Sequence, residues 1–181
     1  MTSSVTIRRA TAADAEFLLG VRSEPSASRF QPLRSYALER LHNILLSRTS
    51  DPLDASFSAK AQWVIECNAI PAGWITLDIT SREHGVASVG YTVAEEFRGQ
   101  RVASRALALV IAAAFDAGEL DLSRLEAVAA VENVASHRVL TRNGFRDERI
   151  AKGLLVINGV RVDHLRFGLL RPDVVSGRCP S

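Results

Sequence analysis

One stretch constrains the fold of this 181-residue chain more than any other: between Gln62 and Ala114 the apolar residues change period from two to 3.6 with no linker between. Trp63 to Cys67, Gly73 to Thr80 and Val86 to Val93 are short, β-branched runs separated by Asn68, Pro71, His84 and Gly85, which predicts an antiparallel meander. Ala103, Ala106, Leu107, Val110 and Ala114 then recur at helical spacing up to Gly118, a residue suited to a C-terminal cap. A half-buried helix therefore follows the meander directly.

The flanking segments complete the order. Val5 to Arg8 alternates as a first strand, and Thr11-Ala12-Ala13-Asp14 is a capping-box pattern that starts a helix with the stripe Phe17, Leu18 and Val21. Beyond Pro25 and Pro32, the spacing of Leu38, Leu41, Ile44 and Leu45 predicts a second helix, and Thr49 to Ala59 reads as an exposed loop. Leu125 to Val131 reads as a strand, Asn133 as the cap of a short helix that stops at Gly144, and Phe145 to Ile157 as strand again. Asn158-Gly159 is a two-residue hairpin turn into a last strand, Val160 to Leu170. The expectation is one α/β (α+β) domain over residues 1–171, with about seven strands and four helices, and a loose tail over 172–181.

Composition narrows the function by exclusion. A hydrophobic content of 47% suffices for one core, while no apolar run approaches the roughly 20 residues that span a bilayer. Met1 to Arg9 lacks the apolar stretch of a secretory signal, so a cytoplasmic protein with no membrane partner is expected. The net charge is +2 and the basic residues are scattered, which argues against nucleic acid as a partner. Cys67 and Cys179 stand far apart, which suggests neither a disulfide framework nor a metal site. The exposed tail and apolar strands leave a homodimer open.

The chemistry concentrates in two segments. Tyr91 to Ser104 runs from a strand into a helix through the turn Arg98-Gly99-Gln100-Arg101-Val102-Ala103. Unpaired N–H groups and the positive helix end converge there, which suits a pyrophosphate; an ordinary turn with arginines near a helix start is the plainer reading. This segment resembles the Arg/Gln-x-x-Gly-x-Gly/Ala signature of the GNAT acetyltransferase superfamily through Arg98, Gly99, Val102 and Ala103, with Arg101 where the central glycine is usual. An arginine in helical geometry is expected to donate its N–H all the same. The second segment, Asn133-Val134-Ala135-Ser136 leading to Asn143-Gly144-Phe145, is similar to the Asn-x-x-Ser and Gly-Phe pattern of the Rim-type branch, the ribosomal-protein N-terminal acetyltransferases.

That resemblance implies a GNAT fold with a mixed, mostly antiparallel central sheet, and acetyl-CoA as the acetyl donor. Its pantetheine arm would lie between splayed strands Val86 to Val93 and Leu125 to Val131. Backbone groups of Tyr91 and Val93 would hold its amides, Arg98, Gly99, Gln100, Arg101, Val102, Ala103 and Ser104 its pyrophosphate, and Asn133 the arm nearer the thioester. Many members protonate the leaving thiolate with a tyrosine at the place Leu140 holds here, so the resemblance makes Ser136, one turn earlier, the candidate donor; a serine that merely caps the Asn133 helix is the other reading. Ser88 stands where a glutamate often precedes the Gly-Tyr pair. Glu66, Asp78, Glu126 and Asp163 are then the candidate bases, with Asp163 first because it and His164 lie on the last strand, which lines the acceptor pocket in relatives. The implied activity is transfer of acetyl to an amine. A protein N-terminal α-amine leads, a small-molecule amine follows, and a degenerate CoA-binding regulatory module is the reading from another class.

Overall fold

The computed structural model describes residues 3–32, 37–50, 60–118 and 120–172, with the backbone alone for 48–50. Strand β1 (Val5–Arg9) leads through a 3-10 turn (Ala12–Asp14) into helix α1 (Ala15–Ser23). The turn closes as its sequence pattern predicts: the Asp14 carboxylate accepts the Thr11 N–H at 2.8 Å, and the Arg8 guanidinium grips the same carboxylate at 2.7 and 2.9 Å. Helix α2 (Leu38–Ser50) runs further than expected, so Thr49 and Ser50 belong to it rather than to a loop. No breaker precedes Pro52, which is the first residue to disfavour helix at its neighbour. Residues 51–59 of the expected loop, and 173–181 of the expected tail, lie outside the described residues.

The meander is present as β2 (Lys60–Cys67), β3 (Ile70–Ser81) and β4 (Val86–Val93). Helix α3 (Val102–Phe115), β5 (Arg124–Ala130), α4 (Val134–Arg142), β6 (Arg146–Ile157) and β7 (Val160–Leu170) follow. Between β6 and β7, Asn158 and Gly159 both take positive φ, 50° and 80°, the backbone that a two-residue turn matched to strand twist requires. The seven strands form one sheet in the order β1-β2-β3-β4-β5-β7-β6. Every neighbouring pair is antiparallel except β4 with β5, which is parallel and joined by the α3 crossover.

Strand alternation sends Ile65, Ile75, Leu77, Val89, Val93, Leu125 and Phe167 to one face, where they form a core with Val102, Ala106, Leu107 and Val110 of α3 and Leu140 of α4. Val64 and Trp74 point to the other face and pack with Leu18, Val21, Leu41 and Leu45 of α1 and α2. Those two helices cover the β1–β3 side. On β5, Val128 is left 44% exposed beyond the stretch that pairs with β4. Gly73 keeps β3 tight against β4, because a Cβ there would lie 2.2 Å from the Thr92 carbonyl oxygen.

Candidate active site

The parallel pair is short. β4 and β5 pair only at Val86, Ala87 and Ser88 with Arg124, Leu125 and Glu126, after which the strands diverge into a V. β5 pairs with β7 along its whole other edge, from Arg124 with Leu170 to Ala130 with His164. Residues 127–130 of β5 and 89–93 of β4 therefore face each other across the gap with no strand between them. Backbone polar groups left without a ladder partner favour an extended ligand that can supply one.

The mouth of the V is the turn into α3. Gly99 and Arg101 both adopt left-handed backbone, with φ of 76° and 62°. Arg101 is thus the residue before the helix rather than part of it, a correction to the helical geometry expected of it. A non-glycine residue there costs about 1 kcal/mol or more. The first intrahelical bond is Arg105 N–H to the Arg101 carbonyl at 3.1 Å, and no side chain caps the helix. The amides of Val102, Ala103 and Ser104 consequently have no intrahelical acceptor at the positive end of a 14-residue helix. Gly99, Gln100 and Arg101 are exposed beside them.

Arg98 goes elsewhere. Its Nε donates to the Val93 carbonyl at 3.0 Å, and its other nitrogens reach the Ser26 hydroxyl and Glu24, the latter at 3.4 Å. Glu95 lies 3.9 Å away, its carboxyl held below the usual range by the hydrogen bond from Ser26 and, less strongly, by Arg98. The guanidinium thus braces the end of β4 against the segment after α1. Gln31 does the same one step earlier: its Nε2 donates to the Tyr91 carbonyl at 3.0 Å while its Oε1 accepts from Thr92 Oγ1 at 3.0 Å. The carbonyls of Tyr91 and Val93, the two residues with backbone groups expected to hold the pantetheine amides, therefore both take side-chain donors. A lone glutamine in a loop carries no periodic or motif signal, which is why sequence reasoning passed over it.

The start of α4 follows the other arm of the V. Asn133 is its N-cap, with Oδ1 accepting the Ser136 N–H at 3.2 Å. His137 Nε2 lies 3.0 Å from the Ala130 carbonyl, an acceptor, so that nitrogen carries the proton. Across the gap, the Tyr91 phenol donates to the Ser136 carbonyl at 3.4 Å. Burial pushes that phenol up to about 12, against the opposing pull of the Ser136 contact. At the other end of α4, Asn143 Nδ2 donates to Ser104 Oγ at 3.0 Å and to the Val139 carbonyl at 2.8 Å. The two segments singled out in the sequence touch at both points.

Leu140, fully buried in the core, offers no polar atom. The four candidate bases all have partners. Glu66 holds Arg8 at 2.8 Å, Asp78 holds Lys60 at 3.0 Å, and Glu126 holds Arg124 at 2.8 Å. Asp163 accepts the Gly153 N–H at 2.7 Å, where β6 bulges against β7 between Ala151 and Leu155. His164 beside it is 1% exposed, with Nδ1 2.9 Å from the Val162 carbonyl and Nε2 without a partner. Among the described residues, no group of His, Cys, Asp and Glu is placed to hold a metal, and no helix is long and apolar enough to cross a membrane.

Comparison with known proteins bears on the family and the fold. The acetyltransferase (GNAT) domain family matches residues 4–146. A putative ribosomal N-acetyltransferase, YdaF of Bacillus subtilis (strain 168), is 35% identical over 101 residues, which are 56% of this chain and 54% of that one. The chain thus spans about half the length of the curated relative it matches there. Among solved structures, RimJ of Mycobacterium smegmatis in complex with CoA-disulfide is similar with a TM-score of 0.80 at 25% identity, over 96% of this chain and 90% of that one. Spermidine N-acetyltransferase of Vibrio cholerae, in complex with CoA and spermine, shares the fold with a TM-score of 0.81 at 20% identity, over 94% and 98% of the two chains.

Proposed function

Because the chain belongs to the GNAT acetyltransferase family, we propose that it moves an acetyl group from acetyl-CoA directly to a protein N-terminal α-amine. The observation that carries this reading is the V, with an uncapped helix end after one arm and the Tyr91 hydroxyl reaching from that arm to the first turn of α4 after the other. A pantetheine arm in the gap meets the unpaired edges of β4 and β5 as an added strand would, with the amides of Tyr91 and Val93 as donors. The amides of residues 99–104 take the pyrophosphate at the positive end of α3. Asn133 flanks the arm nearer the thioester, and the Ser136 hydroxyl donates to the departing sulfur. The donor supplies an activated acyl carbon whose leaving thiol has a pKa of about 8.5, so one weak hydrogen-bond donor suffices.

The acceptor follows from what the carboxylates do. An α-amine of pKa about 8 is neutral in roughly a tenth of molecules at pH 7, whereas a lysine at about 10.4 is neutral in fewer than a thousandth. Glu66, Asp78 and Glu126 are each ion-paired, and Asp163 serves a strand bulge, so none is assigned the work of deprotonating a lysine. An amine that is partly neutral without help fits such a site. The same pairing leaves no uncompensated acidic set among these carboxylates for a polyamine.

Thiol release from acetyl-CoA, measured with peptides bearing a free α-amine, the same peptides blocked at the N-terminus but containing lysine, and polyamines, tests this. Turnover of the free peptides alone is expected. Release with polyamines alone overturns the acceptor assignment, and calorimetric binding of acetyl-CoA without turnover on any acceptor makes the protein a binding module.

A further inference from the structure

Tyr91 enters the reading above through its backbone, yet its side chain is the more unusual feature. The chain has two tyrosines, and Tyr91 is the one among the described residues. It lies on the stretch of β4 that has left β5, packs its ring against the α3–α4 core and carries its hydroxyl across the gap to the first turn of α4. The contact made there, 3.4 Å to the Ser136 carbonyl, is longer than the roughly 2.5–3.0 Å usual for a hydroxyl donor, so the phenol is weakly held. That carbonyl also lies in the helix, where the ladder supplies it an N–H four residues on. Turning the phenol to another acceptor leaves no group orphaned.

We propose that the Tyr91 phenol is a catalytic hydrogen-bond donor that turns from the Ser136 carbonyl to the thioester sulfur as the sulfur gathers charge. This deepens the proposed acetyl transfer and rests on it. The amine nitrogen forms a bond to the acetyl carbon, and the collapsing adduct breaks the carbon–sulfur bond with the electron pair passing to sulfur. The surplus proton of the amine goes to solvent, the sulfur accepts a hydrogen bond from Tyr91, and the thiolate takes its proton from solvent on release. The phenol keeps its own proton throughout. That matches a buried hydroxyl whose pKa is pushed up to about 12, a group protonated at any working pH and poorly suited to giving its proton away. Ser136 and Tyr91 then act as two donors from opposite arms of the V.

Tyr91→Phe keeps the ring in the core and deletes the donor. Its kcat is expected to fall about tenfold, with melting temperature and acetyl-CoA affinity close to those of the parent. A merely structural role would not move the second readout, the ultraviolet thiolate absorbance of bound CoA titrated with pH against CoA-free protein. A donor at the sulfur stabilises thiolate, so the midpoint should rise by about one pH unit in Tyr91→Phe, the equivalent of the tenfold rate loss. An unchanged midpoint overturns the inference, whatever happens to kcat. Failure of the parent to bind CoA would instead overturn the reading beneath it, so the two failures are distinct.

Discussion

The helices that follow the two arms of the V begin in opposite ways. α4 closes its own first turn, with Asn133 Oδ1 on the Ser136 amide. α3 begins with a left-handed Arg101 and no capping side chain, although it is the longer helix and has the stronger positive end to satisfy. A missing cap costs about 1 kcal/mol and a left-handed non-glycine residue a similar amount. Val102, Leu107 and Val110 offset both, since full burial of such a side chain contributes about 1.5–3 kcal/mol. The contrast teaches that a helix can be held at either place: α3 is anchored by its apolar face and leaves its end open, while α4 is anchored at its end.

The sharpest way to break this contrast is to put a carboxylate where the anion should sit. Ala103→Asp should weaken acetyl-CoA binding at least tenfold by calorimetry, about 1.4 kcal/mol, while the preference of the first helical turn for an acid offsets part of the stability lost where Ala103 packs against the core. Undiminished affinity would mean that the open end serves no phosphate. At the other helix, Asn133→Ala should lower unfolding stability by about 1 kcal/mol in urea, and Asn133→Asp should restore most of it. Equal loss in both variants would show that the cap is not what anchors α4.

A smaller effect is expected of Arg101→Gly, where relief of the left-handed residue, about 1–2 kcal/mol, exceeds the added freedom of the unfolded chain, about 0.4–1 kcal/mol. The net gain of about 0.5 kcal/mol should raise the melting temperature by about 1–2 °C. A fall would place the value of Arg101 in contacts of its side chain. The most local effect concerns α1, whose start is held by charge. Burial raises the Asp14 carboxyl pKa, but the Arg8 ion pair and the Thr11 bonds outweigh it and hold it below the usual range. A lowered folded-state pKa means stabilisation that is complete above the unfolded value of about 3.9 and lost as pH falls through the folded one. Protection of the α1 amides, their hydrogen exchange compared with that of an unstructured amide at the same pH, should therefore fall below about pH 4 in the parent and lose that dependence in Asp14→Asn, whereas α4, capped by a neutral amide, should not share it.

Much of the fold was legible because it is written locally. The Thr11–Asp14 pattern, the β4 run from Val86 to Val93 and the Asn158-Gly159 turn each depend on neighbours within a few residues, and all three stand in the structure as read. α2 was read short because its last turn is polar, and a polar exposed turn differs from a loop only in whether a breaker has arrived. The site was legible as two segments but not as contacts. Arg98 matches a phosphate-binding pattern and yet serves Val93, Ser26 and Glu24, and Asp163 looked available until β6 bulged against it.

The amino-acid sequence by itself determined the order of elements, the turn that opens α3 and the residue that caps α4, since period, glycine and capping chemistry act along the chain. Only the tertiary structure decided that β4 and β5 part after Ser88 and Glu126, that Gln31 and Arg98 occupy the carbonyls of the freed strand, and that the Tyr91 hydroxyl reaches Ser136. The reason is separation: Tyr91 and Ser136 stand 45 positions apart, Gln31 and Tyr91 60. No local preference ties such pairs together; they meet because two faces of one sheet must be buried at once.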